Sequence, residues 1–442
     1  MHEPPNGRET RRADGRTGSS CNADAPRRIP FPTPAKAKPV PAFRYSAILA
    51  LAAAAACGSA DARTALNEPV IDTQAGGVIQ VTNTGPTAWA DTNGWRLVEE
   101  LVISPEEGSE GELASASRLV ADERGHVYVM QRQPVHIKVF GPDGQWLRNI
   151  GREGDGPGEF RDGMLGIVGD TLFVQDPNNQ RLTTFLTDGT FLGTQQSQCC
   201  WFTSRITALA DGRAMILGPP PPGSEARGAY YLTHMDGRVT DTLLMPADRP
   251  GEASDYWEVI RRGGNGTSIS RVSVPLRPSD VSVFRPDGKL VRARTDNYRL
   301  TISNDYTDTT RIFAATAPTL AVTDAQRDSA YRATLERQHV DWRDAFAEIA
   351  KLGDIPSSWP VITAIGTDRQ NRIWVALPGD RGGYSRLQVF SPDGVLLGDV
   401  PAPDNASGIL NGFWTSERVY VGGEDELGLP VIRVFKLVTE SR

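Results

Sequence analysis

Residues 118–151 contain two segments, RLVADERGHVYV (118–129) and HIKVFGPDGQWLRNIG (136–151), whose pattern recurs along the chain. Each segment holds two short apolar runs joined by a turn, so one unit supplies four strands, A to D. Similar units lie at 165–193, 206–244 and 361–398. Self-similarity over units of four short strands is typical of a β-propeller, in which each repeat forms one blade. The pattern therefore predicts an all-β propeller.

Asp-Gly pairs punctuate these units and help to count the blades. Such pairs favour tight hairpins, because the central residues of the turn must tolerate positive φ. Between strands C and D the pairs are Asp143-Gly144, Asp188-Gly189, Asp236-Gly237 and Asp393-Gly394. A less regular unit over 280–313 has Asp287-Gly288 after its first strand, and the unit over 409–438 supplies only three strands. We count six blades.

The strand missing from the last blade is found near the other end of the chain. WRLVEELVI at 95–103 matches QWLRNI at 145–150 in position, since both precede a Gly/Glu-rich loop and then an inner strand. Residues 95–103 are therefore predicted to pair with 431–438. This pairing would close the ring and remove an open sheet edge.

One blade carries a family resemblance. GPGEF at 156–160, followed by LFVQDPNNQRLTTFLTDGTFLG at 172–193, resembles the NHL repeat. Asp176, Asn179 and Arg181 match the D-x-x-N-x-R segment that knits the B–C loop in that family. The match is specific over this blade and general over 95–440. The chain is similar to the six-bladed propellers of secreted bacterial lipoproteins, and this similarity implies the same fold in an exported protein.

The N-terminal region has a different composition. Residues 1–44 are rich in Pro, Arg and Gly without apolar periodicity, which predicts a disordered basic tail. The run YSAILALAAAAAC at 45–57 is too short to span a bilayer but suits the core of a signal peptide. A long basic tail before a signal peptide is unusual, and we expect translation to begin near Val40.

The end of this apolar run resembles a lipid-attachment motif. Ala54-Ala55-Ala56-Cys57 is similar to a bacterial lipobox, which implies lipidation of Cys57, although Ala54 stands where the motif usually has Leu. The alternative is an ordinary secretory signal cleaved near Ala60 or Ala62. We expect an exported, lipid-anchored envelope protein, or else a soluble periplasmic or secreted one.

Charge narrows the class of partner. The chain has a formal net charge of −7 and no basic stripe within the repeats, which argues against nucleic-acid binding. Residues 58–94 have only short apolar stretches and are expected to form a flexible tether. The sequence predicts a monomer that touches the membrane through its lipid anchor alone.

The connections sort into two faces. A–B and C–D turns lie on one face, which we call the turn face, and B–C loops and D–A connections lie on the other, the loop-rich face. Both long insertions, 246–278 and 314–360, fall on the loop-rich face. The second contains a helical stretch that begins after Thr323 as N-cap and stops at Gly353. Elaboration on one face over a central channel predicts a ligand site there, capped by this helix.

Arginines and aromatic residues of the loop-rich face are the candidate ligand-binding groups. The candidates are Arg132, Arg152, Asp176, Arg181, Trp201, Arg205, Arg227, Tyr230, Arg381, Tyr384 and Arg386, with Asp155, Asn178 and Trp257 beside them. One interpretation is that the arginines converge on an anionic or sugar-like ligand with the aromatic rings as stacking surfaces. The other is that each arginine bonds loop carbonyls and neighbouring aspartates, as Arg181 would with Asp176.

Catalytic and metal-binding spacings are scarce. The histidines after the tail show no H-x-x-H or H-E-x-x-H spacing, so neither a histidine-built zinc site nor a Ser-His-Asp triad is expected. Adjacent Cys199 and Cys200 would form a vicinal disulfide or a buried thiol pair in an exported protein. Acidic loop residues leave a bound divalent cation possible, but no cofactor is expected.

Three functions are consistent with these patterns. The first is an envelope-anchored, non-catalytic propeller that binds an unknown small molecule or protein partner on its loop-rich face. The second is a propeller enzyme, a lyase or lactonase-like hydrolase, with a metal in the central channel. The third is a structural scaffold of an envelope complex.

Overall fold

The protein is represented by a computed structural model, which describes residues 68–84, 95–197, 205–247, 255–263, 266–379, 384–403 and 408–438. The chain divides into two units, Met1–Ala62 and Arg63–Arg442. The first unit lies outside the described residues, and so do the basic tail and Cys57. The second unit holds the propeller.

Six antiparallel sheets form the blades, with strands numbered β1 to β30 in chain order. Blade 1 consists of β4 (Leu119–Ala121), β5 (Val127–Arg132), β6 (Val135–Phe140) and β7 (Trp146–Ile150). Blade 2 consists of β10 (Met164–Val168), β11 (Thr171–Asp176), β12 (Arg181–Leu186) and β13 (Phe191–Gln196). Blade 3 consists of β14 (Arg205–Ala208), β15 (Ala214–Gly218), β16 (Ala229–Thr233) and β17 (Val239–Leu244).

The second half of the ring repeats this order. Blade 4 contains β20 (Asp280–Phe284), β21 (Leu290–Arg294), β22 (Arg299–Ser303) and β23 (Arg311–Ala314). Blade 5 consists of β24 (Ala364–Thr367), β25 (Ile373–Pro378), β26 (Tyr384–Phe390) and β27 (Leu396–Pro401). Blade 6 consists of β28 (Phe413–Trp414), β29 (Arg418–Glu424), β30 (Pro430–Val438) and, from the N-terminal side, β3 (Arg96–Ile103). The predicted all-β, six-bladed propeller is confirmed.

The Asp-Gly turns behave as their sequence predicts. Gly394 in blade 5 has a φ of +81°, which L-residues rarely adopt. A Cβ atom at this position would lie 2.8 Å from Phe313 in blade 4. Glycine is therefore required twice here, by the turn and by the close approach of the neighbouring blade.

Apolar side chains of neighbouring blades pack against each other to form the core. Between blades 5 and 6 the rings of Trp374 and Trp414 lie 4.7 Å apart, and Trp374 is fully buried. Between blades 4 and 5 Phe313 and Phe390 lie 5.0 Å apart and are both fully buried. Each sheet therefore buries both faces, and burial of these large rings is a major part of the stability.

The ring closes as predicted, by pairing of β3 with β30. The antiparallel register runs from Arg96 opposite Val438 to Ile103 opposite Ile432. Leu97 and Ile103 point into the core while Val98 and Val102 are exposed, which is the alternation of a strand with one buried face. Arg433 adds an ion pair to Glu99 at 3.0 Å.

A hairpin precedes this closing strand. Strands β1 (Val70–Thr73) and β2 (Ile79–Thr82) pair with each other, and β2 runs parallel to β23, so they extend blade 4 to six strands. Val81 is fully buried in the core between blades 4 and 5. The hairpin lies within residues 58–94, which we expected to form a tether throughout.

Asn83 ties the end of this hairpin to two blades. Its side-chain amide donates to the carbonyls of Ala314 (3.0 Å) and Gly394 (3.1 Å), and its Oδ1 accepts from the Leu396 N–H at 2.8 Å. The amide nitrogen and the amide oxygen of Asn83 are thus both engaged by the two blades. The hairpin is therefore an integral part of the propeller.

The two long insertions pack against one another. The first contains β18 (Tyr256–Gly263) and β19 (Gly266–Ser273), and the second contains α1 (Asp324–Glu336), α2 (Val340–Ile349) and the 3₁₀ helix Leu352–Asp354. Thr323 caps α1 as predicted, but the chain breaks into two helices instead of one. A short parallel pair, β8 (Arg152–Glu153) and β9 (Glu159–Phe160), links blades 1 and 2.

These insertions share a small apolar core. Phe346 of α2 is fully buried against Trp257 and Val259 of β18. The Arg261 guanidinium stacks on the Trp342 ring at 4.3 Å, and the Trp257 indole N–H donates to Asp354 at 2.9 Å. Although α1 and α2 offer few apolar residues, they complete a core that the hairpin begins.

The alternation in β3 generates a test of ring closure. Replacing Ile103 by Ala should lower the free energy of unfolding by about 2–5 kcal/mol, because it leaves a cavity in the core. The control Val102→Ala, on the exposed face of the same strand, should change it by less than about 1 kcal/mol. Urea denaturation measures both. Equal effects would contradict the closure, as would cooperative melting like that of the parent in a chain lacking residues 95–103.

Candidate functional site

The inner strands surround a central channel with a volume of about 500 Å³. This volume lies within the range of small-molecule sites in proteins, roughly 300–1,000 Å³. All six blades contribute to its wall. Each inner strand contributes at least one residue to the wall; examples, in blade order, are Leu119, Leu165, Thr207, Val283, Ile365 and Phe413.

The inner strands expose backbone groups to the channel. Each inner strand is the edge of its sheet and pairs on one side only. An edge strand presents peptide N–H and C=O groups on its free side, and here that side faces the channel. Some of these groups bond between blades, as where the Thr367 hydroxyl donates to the Phe284 carbonyl at 3.2 Å. The channel therefore offers hydrogen-bonding groups even where its side chains are apolar.

Arg118 is a charged residue of the channel wall that lies at the start of β4. Its guanidinium donates to Asp162 at 2.6 Å and to the Gly163 carbonyl at 2.9 Å. Asp162 also accepts from Arg132, at 2.9 Å. Burial alone would raise the pKa of Asp162, but the hydrogen bonds and the two arginine charges outweigh burial and lower it. Arg118 and Arg132 thus share one carboxylate at the loop-rich end.

Arg369 is a second charged residue of the wall, at the turn-face end. It follows β24 in the A–B turn of blade 5, and its guanidinium carbon lies 5.5 Å from the centroid of the Phe413 ring. Burial lowers the pKa of the Arg369 guanidinium, and the charge of Glu123 opposes this effect. Within the part of the chain that the structure describes, no carboxylate forms an ion pair with Arg369.

The turn that carries Arg369 is held by the neighbouring aspartate. Asp368 accepts from the backbone N–H groups of Gln370 (2.9 Å) and Arg372 (3.1 Å) through Oδ1. Its Oδ2 accepts from the Arg372 side chain at 2.6 Å and from the Trp374 indole at 2.8 Å. Both carboxylate oxygens are engaged, so Asp368 fixes the turn and presents Arg369 to the channel.

The A–B turn of blade 1 repeats this arrangement. Asp122 accepts from the backbone N–H groups of Arg124 (3.0 Å) and His126 (2.9 Å), and from the Tyr128 hydroxyl at 3.3 Å. Burial would raise the pKa of Asp122, but the bonds and charge of His126 and the bond from Arg124 lower it. Burial, with the Asp122 charge next, raises the pKa of Tyr128 to about 12.

Most of the predicted arginines on the loop-rich face are occupied by neighbours. Arg132 pairs with Asp162, Arg152 with Glu159 at 2.8 Å, and Arg386 with Asp399 at 3.1 Å. Arg152 is largely exposed. The structure therefore distributes these side chains over separate local pairs.

Hydrogen bonds hold together the B–C loop of the segment that resembles an NHL repeat. Asp176 is fully buried and accepts from the backbone N–H groups of Arg161, Asn178 and Asn179. Arg181 donates to the carbonyls of residues 154, 155 and 159. Arg181 thus bonds loop carbonyls, as one of our two interpretations holds, and it lies opposite Asp176 in the β11–β12 pair.

The remaining candidates fall in several places. Tyr230 is buried, and its ring packs edge-on against Phe284 at 4.7 Å, while Arg227 is exposed in the loop before β16. Asp155 pairs with Arg161, and Trp257 belongs to the insertion core. Arg205 and Tyr384 begin β14 and β26. Trp201, Arg381, Cys199 and Cys200 lie outside the described residues.

Arg118 and Arg369 are channel residues that the sequence analysis did not select. A signal existed for Arg369, because ADERGHVYV (121–129) aligns with TDRQNRIWV (367–375). In this alignment the two aspartates coincide and Arg369 takes the position of Glu123. The position that follows the turn aspartate thus carries opposite charges in these two blades.

Two further observations concern metals and membranes. The described residues contain no group of three or more His, Cys, Asp or Glu side chains placed to hold a metal ion. Among the helices that the structure describes, none is long and apolar enough to cross a bilayer.

Comparisons with known proteins add distant structural neighbours only. No protein-family model and no curated protein matches the sequence. A Bacteroides fragilis protein described as exported is 9% identical over 81% of this chain and 100% of its own, with a TM-score of 0.44. A Bacteroides vulgatus member of the DUF4221 family is 13% identical over 79% and 99%, also at 0.44. Virginiamycin B lyase from Staphylococcus aureus is 11% identical over 78% and 100%, at 0.38. Similarity this low does not bear on ligand or activity.

The Asp122 turn gives a pH-dependent prediction. The pKa of the Asp122 carboxyl is lowered in the folded state. Its contribution to the free energy of unfolding is therefore complete above about pH 4 and is lost as the pH falls through the folded pKa. Asp122→Asn should cost about 1–3 kcal/mol at pH 7, because several buried donors lose their charged acceptor. The difference in free energy of unfolding between the variant and the parent should become smaller below about pH 4. Urea denaturation at pH 7 and pH 3 measures it, with the exposed turn variant Asp143→Asn as control. A gap that stays constant with pH would contradict the assignment.

Proposed function

We propose that the chain is an exported, non-catalytic propeller that binds a small ligand in its central channel. The observation that carries the proposal is the cavity of about 500 Å³ whose wall draws on all six blades. Residues from different blades are held in fixed positions by the ring, so a ligand there would meet a preformed site. Preformed, concave sites with a few polar groups are the usual binding sites for small molecules.

The ion pairs of the loop-rich face favour the channel over that face as the binding site. Arg132, Arg152 and Arg386, which were candidates for an exposed anion site, already have carboxylate partners. A ligand at these positions would have to displace an ion pair in each case. A ligand in the channel need not displace an ion pair, because it can bond to strand edges that have no further strand beside them.

The same proposal includes export and lipid attachment. Its support is the apolar run at 45–57 that ends in Cys57 after small residues. Val70, where β1 begins, follows Cys57 by only a short stretch, which spans at most about 45 Å when fully extended. A lipid at Cys57 would therefore tether the propeller to a membrane surface.

Ligand binding in the channel can be tested by screening with a blocked variant. Ser117 is exposed to the channel just before β4, so Ser117→Trp should fill part of the cavity without changing the blades. Ligand-observed NMR against a library of small metabolites should yield compounds that bind the parent at least tenfold more tightly than Ser117→Trp. A library in which every hit binds both proteins equally would overturn the channel as the site. A hit that is chemically converted during incubation would favour the lyase or lactonase alternative.

Lipid attachment can be tested by labelling. Cells of a bacterial host fed a labelled fatty acid should incorporate it into the parent and not into Cys57→Ser, which should also leave the membrane fraction. The matched control is Cys21→Ser, which should label like the parent because the predicted cleavage removes residue 21. Absence of label in the parent, or label that survives Cys57→Ser, would rule the assignment out.

A further inference from the structure

Arg369 differs from other buried arginines of the propeller. Arg285 binds Asp287 at 2.5 Å and the Pro392 carbonyl at 2.8 Å, and Arg372 binds Asp368 at 2.6 Å. Each of these guanidinium groups thus exchanges its water for charge-assisted hydrogen bonds. Arg369 is partly buried on the channel wall, and in the described structure it makes neither an ion pair nor a hydrogen bond through its side chain.

The carboxylate of Glu123, in the A–B turn of blade 1, acts on Arg369 through its charge and forms no ion pair with it in the described structure. This carboxylate accepts a hydrogen bond from the Ser416 backbone N–H at 3.1 Å and so links blades 1 and 6. Asp368, adjacent in sequence, has both oxygens engaged: Oδ1 accepts from the backbone N–H groups of Gln370 and Arg372, and Oδ2 accepts from the side chains of Arg372 and Trp374. The five N–H donors of the Arg369 fork are therefore available to a molecule in the channel.

The surroundings of Arg369 define the rest of such a molecule. The Phe413 ring lies beside the guanidinium, and Leu410 and Phe284 line the same channel. Thr367 and Asn411 add polar side chains. A planar, partly apolar body would fit between these residues while a charged group reached the arginine.

We propose that Arg369 is the specificity-determining group of the channel and selects ligands that carry a single carboxylate on a planar apolar body, bound at the turn-face end. The inference rests on the proposed function, since it names the class of ligand for the same channel. One unpaired guanidinium balances one negative charge, and its fork matches a carboxylate through two parallel hydrogen bonds. A more highly charged group would instead face the carboxylates of Glu123 and Asp368.

The test uses benzoate and its neutral analogue benzamide as probes of the full propeller, with affinities measured by ligand-observed NMR titration. Benzoate should bind the parent at least tenfold more tightly than benzamide. Arg369→Gln should lose at least tenfold in benzoate affinity and leave benzamide unchanged, and Arg369→Lys should lie between. The control is Arg238→Gln, an exposed arginine paired with Asp236 on the same face, which should bind as the parent does.

Thermal melting provides a second, ligand-free measurement. Removing a desolvated charge that has no partner should leave the melting temperature of Arg369→Gln equal to that of the parent or higher. A lower melting temperature would show that the guanidinium is held by protein groups, and would overturn the inference.

The possible results separate this inference from the function on which it rests. If benzoate fails to bind the parent, or binds Arg369→Gln equally well, the carboxylate specificity is wrong. If the metabolite screen yields ligands that Ser117→Trp excludes but benzoate binding does not depend on Arg369, the channel site stands and only the role of Arg369 is wrong. If the metabolite screen also finds no ligand that Ser117→Trp excludes, both are wrong.

Discussion

The pairing of β3 with β30 is the contact on which the propeller depends, because a ring of sheets exists only when its first and last blades are joined. Blade 6 takes three strands from the C-terminal end and one from the N-terminal side, along a register of seven residue pairs. Neighbouring blades bury their large aromatic rings only while the ring stays closed. The channel in turn exists only because six inner strands are held around one axis. Ring closure, core packing and the candidate site are thus consequences of one antiparallel ladder.

The repeat made much of this architecture predictable. Asp-Gly turns, alternating strands and the missing last strand are local patterns, and each follows from backbone geometry that a sequence displays directly. The hairpin β1–β2 was not foreseen, because its pairing with β23 depends on residues more than two hundred positions away. The common core of the two insertions was not predicted for the same reason, since Phe346 and Trp257 belong to one cluster although they lie in different insertions, far apart in sequence.

The candidate site was predicted less well than the fold, and the cause is physical. An arginine in an irregular loop is suited equally to a ligand and to a neighbouring carboxylate, and only the folded chain decides between them. Arg132 and Arg386 found carboxylates. Arg369 is hidden in a turn that looks like any other in the repeat, since Asp368 gives that turn the same hydrogen bonds that Asp122 gives blade 1. The two turns share their hydrogen bonds, but the residue after the aspartate is Arg369 in one and Glu123 in the other.

The hairpin at the N-terminal side and the closing strand have a consequence for synthesis and assembly. Strand β2 can pair only after β23 has been synthesised, and β3 can pair only after β30, the last described strand of the chain. Contacts between residues so far apart in sequence form slowly, because a long loop has to close before they contribute. Until the final blade emerges, both N-terminal segments present unpaired edges that could join another chain. A chain interrupted before residue 430 could therefore not close its ring, so the propeller becomes compact only after β30 has been made.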